Sequence, residues 1–289
     1  MTIPESQLGT WSHQGAVTTA KTTADSIKNI IKNYDNWPEG TDYEVYLQGS
    51  YKNDTNIRGD MDVDVVVQLN SSFCSNLSED QKRILGLLPA RYHLSEFKAE
   101  VLKILKNYYG QSQINESNKS IKIRANNGRL PADVVVCCQY RKYRTVSSDD
   151  YIEGMCFWTR NDDRQVINYP KLHYENGVSK HQNTNNWYKP TVRMFKSIRN
   201  YLIDNYKIAD NLAPSYFLEC MLYNVPNDKL SPTFQDTFCN IVNWLNNADL
   251  NSFICQNEQL NLFGTTPEQW NTGKAKEFIK NLISLWKSW

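Results

Sequence analysis

Residues 48–67 read QGSYKNDTNIRGDMDVDVVV, and the fold turns on how this stretch is read. From Met61 to Leu69 the chain (MDVDVVVQL) alternates and then becomes β-branched, which is the pattern of a strand. Asp62 and Asp64 stand two apart, so on a strand both side chains point to one face, with Val63 and Val65 on the other. Two carboxylates held side by side repel unless something neutralises them. A pair of divalent cations ~3.5–4 Å apart does so, and Mg²⁺ favours carboxylate together with phosphate oxygen. Just upstream, YEVYL at 43–47 reads as a strand running into Gly49-Ser50, a turn that opens a short helix. Glycine lets backbone amides come close to a phosphate, and a serine hydroxyl with amides at a helix start can hold an anion. Gly-Ser is common in loops; its weight here comes from the carboxylate strand that follows.

Working outward, LPADVVVCC at 130–138 is a further strand headed by Asp133. Taken alone, Asp133 reads at least as well as a solvated strand end; beside the first strand it becomes a natural third ligand. KSIKIR at 119–124 is another strand, joined to it through the hairpin signal Asn127-Gly128. Helical spacing runs over 16–34, and over 78–109 with an interruption near Pro89. From about 165 the character changes. Residues 168–190 are polar and without clear period, which predicts a long functional loop, and helical patterns follow at about 190–206, 213–224, 232–248 and 272–288. The expected architecture is α+β: a mixed sheet with flanking helices over 1–165, then a helical lobe over 166–289 preceded by the polar loop, with the active site in the cleft between them. Lys189, Arg193 and Lys196 share one helix face, either as a solvated basic face or as a grip on phosphate. Ser215, after Pro214 at a helix start, reads as a simple cap or as an anion site.

The 289 residues carry a formal net charge of +1. That is enough local basicity for a triphosphate and a poor match to a long nucleic acid, which calls for a basic excess or stripe. Seven cysteines, an odd number with no Cys-x-x-Cys, and four scattered histidines point to reduced thiols and a cytoplasmic setting, with no zinc pattern. No signal peptide or membrane-length apolar run is evident. A monomer is expected.

Residues 48–67 resemble the signature of polymerase-β-type nucleotidyltransferases. The spacing of Thr55, Ile57, Arg58 and Gly59 is similar to that of the bacterial CD-NTases, relatives of cyclic GMP-AMP synthase and oligoadenylate synthase. The resemblance extends to LPADVVV at 130–136, to NYPKLHYENGVSKHQNT at 168–184, which is similar to clade E enzymes, to YKPTVRMFKSIRNYL at 188–202 and to APSYFLECMLYNVP at 213–226. It implies synthesis of a cyclic di- or trinucleotide signal for anti-phage (CBASS) defence in a bacterial cytoplasm, read out by a cyclic-nucleotide-activated effector. It further implies that Asp62, Asp64 and Asp133 hold two Mg²⁺ ions, with Mn²⁺ as a substitute, and that Asp133 helps deprotonate the attacking ribose hydroxyl. Gly49 and Ser50 would hold the donor's β- and γ-phosphates, Lys196 and Ser215 would contact the same triphosphate, and Tyr216 would stack on a base. Asn168, whose amide can donate and accept, would read a pyrimidine, so UTP and ATP are the expected substrates. Two competing readings remain at this level: another nucleotidyltransferase acting on RNA ends, a small molecule or a protein, and a non-catalytic nucleotide sensor.

Overall fold

A computed structural model describes residues 2–59 and 62–289. In chain order the elements are α1 (Glu5–Trp11), α2 (Thr18–Lys32), β1 (Tyr43–Leu47), α3 (Gly49–Asn53), β2 (Val63–Ser75), α4 (Glu79–Ile84), α5 (Leu94–Tyr109), β3 (Ile114–Glu116), β4 (Ile121–Ile123), β5 (Ala132–Tyr143), β6 (Tyr151–Trp158), β7 (Gln165–Asn168), α6 (Pro170–Asn183), α7 (Tyr188–Tyr206), α8 (Ser215–Tyr223), α9 (Phe234–Asn247) and α10 (Thr272–Ser288). Met61, where the expected carboxylate strand begins, lies outside the described residues.

The chain forms two compact units. One comprises Val17–Tyr51 and Met61–Pro170 and is built on a seven-stranded mixed sheet. Its main path runs β1-β2-β5-β4-β3, with β6 on β5 and β7 on β6. The β2–β5 pair is parallel and every other pairing antiparallel. β2 and β5 are the central strands, and their runs Val65–Val67 and Val134–Cys138 are buried throughout, as strands covered on both faces must be. Helices α2 and α5 pack on this pair. α5 starts with Glu96 accepting the backbone N–H of His93.

The other unit comprises Met1–Ala16, Lys52–Asp60 and Lys171–Trp289. Its core draws on α7 (Val192, Phe195, Ile198), α8 (Leu218, Met221), α9 (Phe238, Ile241) and α10 (Phe278, Leu282), with Ile3 and Leu8 from the N-terminal segment. The expected division at 165/166 therefore differs from the observed one. The break falls at 170/171, and the segments 1–16 and 52–60 belong with the helices because their apolar residues and carbonyls find partners there.

The larger correction concerns 168–190. This is no structureless loop: α6 occupies most of it. Its buried residues are His173, Gly177 and Lys180, a helical spacing of four and three carried by residues that no hydrophobic pattern counts. His173 Nε2 lies 3.2 Å from Glu219 Oε1. Lys180 Nζ donates to the Val225 carbonyl and to Asn227 Oδ1 at 2.7 and 3.0 Å. At Gly177 a Cβ would stand 2.4 Å from Gln256 Nε2, so any larger residue would displace that amide.

Candidate active site

The parallel register sets Asp64 directly opposite Asp133 and Val65 opposite Val134. Neighbouring strands lie ~4.8 Å apart and paired residues share a face, so these two carboxylates project side by side from the centre of the sheet. Both are half-buried, while Asp62, one residue before β2, is exposed. β4 brings a cation to the same place: Lys122 pairs with Asp133 across the strands, and its Nζ lies 3.1 Å from Asp133 Oδ2. Hard carboxylate oxygens, with Asp64 and Asp133 in register and Lys122 beside the second, suit a divalent metal of the Mg²⁺ type. Among the described residues, the three carboxylates do not gather within 4.8 Å of one another.

Gly49 explains itself at this point. Its φ is +69°, the left-handed region that disfavours side chains. A Cβ there would stand 2.0 Å from Asp64 Oδ2 and 2.9 Å from its Cγ. The backbone that opens α3 thus lies directly against the Asp64 carboxylate, and the Gln48 N–H donates to the Asp64 carbonyl at 3.0 Å. Ser50 follows as the second residue of α3, half-buried. Asn168 closes β7, and its Oδ1 accepts the Tyr169 backbone N–H at 2.8 Å. A backbone N–H can only be met by the amide oxygen, which leaves the Nδ2 hydrogens as the donors of Asn168.

The residues expected on the helical unit have other partners. Lys189, Arg193 and Lys196 do share one face of α7, and they grip Asp54 and Thr55. Lys189 Nζ lies 2.8 Å from Asp54 Oδ2, Arg193 donates to the Asp54 carbonyl at 2.6 Å, and Lys196 Nζ donates to the Thr55 carbonyl at 2.9 Å. Lys196 is 0% exposed, and as placed it holds this loop. Ser215 Oγ accepts from Arg199 at 2.9 Å. Tyr216 already has a stacking partner in His173, with ring centroids 5.4 Å apart and planes 23° from parallel.

The sequence reading missed the centre of that arrangement, Glu219. It is buried among apolar residues of α8 and accepts from Thr55 Oγ1 at 3.0 Å while facing His173. Burial pushes its carboxyl upward, but His173, Lys196 and Thr55 outweigh this and hold it below the usual range. A lone acid inside the apolar run SYFLECMLY was the available signal, since a buried charge needs a partner.

Comparison with known proteins agrees with the geometry. Residues 25–128 match the nucleotidyltransferase domain, and residues 175–287 match the cGAS/DncV-like nucleotidyltransferase C-terminal helical domain. The chain is 56% identical over its full length, and over 99% of the relative, to a cyclic UMP-AMP synthase of Rhodothermus marinus. It is 40% identical, end to end in both chains, to the cyclic nucleotide synthase CdnE01 of Staphylococcus haemolyticus. The solved R. marinus CdnE c-UMP-AMP synthase with Apcpp and Upnpp superposes with a TM-score of 0.95, covering 99% of this chain and 97% of that one. The Elizabethkingia meningoseptica CdnE cyclic dinucleotide synthase with GTP and Apcpp gives 0.80 at 28% identity, covering 99% and 100%. The chain is therefore a nucleotidyltransferase and belongs to the cGAS/DncV-like family, among the CdnE-type cyclic nucleotide synthases.

Proposed function

We propose that this enzyme joins two ribonucleoside triphosphates, one of them UTP and the other ATP, into a cyclic dinucleotide that serves as an anti-phage signal to an effector protein. The observation that carries the chemistry is the in-register pair Asp64 and Asp133 with the Gly49 backbone against it. The full-length likeness to a cyclic UMP-AMP synthase supports the choice of bases. Asp62, Asp64 and Asp133 would hold the divalent ions, Mg²⁺ by the hardness of the donors. When bound, such ions lower the pKa of the attacking hydroxyl and offset phosphate charge.

The chain's own residues do the rest. Asp133 stands ready to accept the proton of the attacking ribose hydroxyl, and Lys122, at 3.1 Å, orients that carboxylate until substrate arrives. The Gly49 amide and the Ser50 hydroxyl orient the donor's β- and γ-phosphates. Tyr216, braced by His173, offers a flat face to a base. Asn168, with its oxygen committed to Tyr169, donates from Nδ2 to a pyrimidine carbonyl oxygen. Lys196 acts through the loop by holding the Thr55 carbonyl, two residues beyond α3. Two successive transfers, each an in-line attack on an α-phosphate with release of pyrophosphate, close the ring.

The test is to incubate the purified protein with Mg²⁺ and each single or paired set of ribonucleoside triphosphates, then identify the phosphatase-resistant product by mass spectrometry. Cyclic UMP-AMP is expected. An all-purine product overturns the uridine assignment; a linear product or a labelled macromolecule overturns cyclisation.

A further inference from the structure

Three cysteines far apart in sequence meet at one point of the sheet. Cys74 near the end of β2, Cys138 on β5 and Cys156 on β6 have sulfurs that all lie within 4.8 Å of one another. The Cys74 and Cys138 sulfurs are 3.4 Å apart. Cys138 and Cys156 are direct cross-strand partners, and the β-bulge between Leu69 and Phe73 brings Cys74 level with Tyr140, two residues beyond Cys138. Cys138 and Cys156 are 3% and 0% exposed, while Cys74 is half-exposed. Cys74 and Cys138 line a cleft of about 600 Å³ together with Phe73, Val136 and Thr159. Gln165 Nε2 donates to the Cys156 sulfur at 3.1 Å, a contact that favours a sulfur carrying negative charge.

We infer that Cys74, Cys138 and Cys156 form a binding site for a thiophilic d¹⁰ cation, Zn²⁺, with water from the cleft in the fourth position. Tetrahedral Zn²⁺ with sulfurs at ~2.3 Å sets them about 3.8 Å apart, a spacing bracketed by the 3.4 Å contact and the 4.8 Å limit observed here. Binding converts three thiols to thiolates and releases their protons to solvent. The site is separate from the carboxylates: Cys138 lies an odd number of residues beyond Asp133 on one strand, so its side chain leaves the opposite face. Ligand hardness keeps the two populations apart, oxygen donors taking Mg²⁺ and sulfur donors the softer ion. The ion would clip β2, β5 and β6 together, two of which carry the catalytic carboxylates.

The reduced, chelator-treated full chain is titrated with Co²⁺ in excess Mg²⁺. A thiolate-to-cobalt charge-transfer band saturating at about one equivalent per chain, and bleached by Zn²⁺, is the expected result. Cys74→Ala weakens the affinity by at least the ~100-fold that loss of even an outer-shell partner can cost, whereas Cys239→Ser leaves it unchanged. Without any substitution, Zn²⁺ slows alkylation of Cys74 by iodoacetamide relative to Cys239, read by peptide mass spectrometry. Absence of the band in the wild-type chain, or Cys74 alkylation that ignores Zn²⁺, overturns the site.

Discussion

Replacing Gly49 with alanine tests whether the close approach of backbone to carboxylate is what makes the site work. The new Cβ would stand 2.0 Å from Asp64 Oδ2, and tolerable contact begins at 3.0 Å, so the carboxylate must withdraw by about 1 Å. The atom in the way is the end of a side chain, so Asp64 can rotate and the fold survives. A displacement of ~1 Å at a reacting group costs on the order of 10²-fold in rate, equivalent to ~2.7 kcal/mol of barrier. The positive φ adds a separate cost of ~1–2 kcal/mol in stability. Gly40 separates the two effects. It also has a positive φ, +77°, but nothing lies within 4 Å of its would-be Cβ. Gly40→Ala should therefore lose stability of the same order and keep its turnover. The assay is Mg²⁺-dependent pyrophosphate release from UTP and ATP, with thermal unfolding of all three proteins in parallel. Wild-type turnover in Gly49→Ala, or an equal loss in Gly40→Ala, would refute the reasoning.

Three further outcomes are expected. Asp64→Asn and Asp133→Asn each keep the fold and reduce pyrophosphate release by roughly 10³-fold or more, the scale of losing a principal charge-stabilising group; activity within tenfold of wild type in either variant would remove that carboxylate from the site. Lys122→Ala removes the cation beside Asp133, and because the pair is partly solvent-exposed its stability cost stays below ~1 kcal/mol; the Mg²⁺ concentration for half-maximal activity should fall about threefold, since ~0.7 kcal/mol of competition is lifted, and a rise would contradict this role. Burial lowers the Lys180 ammonium from 10.5 to about 8, so between those values the unfolded chain binds a proton that the folded chain does not, and stability rises with pH across that window; denaturant midpoints on either side of it should show the rise in the wild type and its loss in Lys180→Met.

Much of the sheet was legible in the chain because its signals are local. β1, α2 and the helices α7 to α10 lie close to where periodicity put them, and α4 and α5 flank the predicted break at Pro89. β6 and β7 were not foreseen: Tyr151–Trp158 (YIEGMCFW) has a continuous buried run, Gly154 to Phe157, with no alternation to mark it. α6 was mistaken for a loop because its buried stripe is not hydrophobic: a hydrophobic period cannot register a histidine and a lysine buried against polar partners, or a glycine buried by close packing.

The sequence by itself determined that Asp62 and Asp64 stand two apart at the head of a β-branched run, that Gly49-Ser50 precedes them, and that the chain resembles CD-NTases across most of its length. These follow from nearest-neighbour spacing, which backbone geometry converts directly into direction. Only the tertiary structure decided that Asp133 stands in register with Asp64, that Lys122 joins it, and that Lys196 is turned inward to the Thr55 carbonyl. Those are pairings between residues distant in the chain, set by strand register and by which buried charge finds which partner, and no local period encodes them. The cysteines make the same point: no spacing among seven thiols foretold that Cys74, Cys138 and Cys156 would meet, because a β-bulge and two strand registers bring them together.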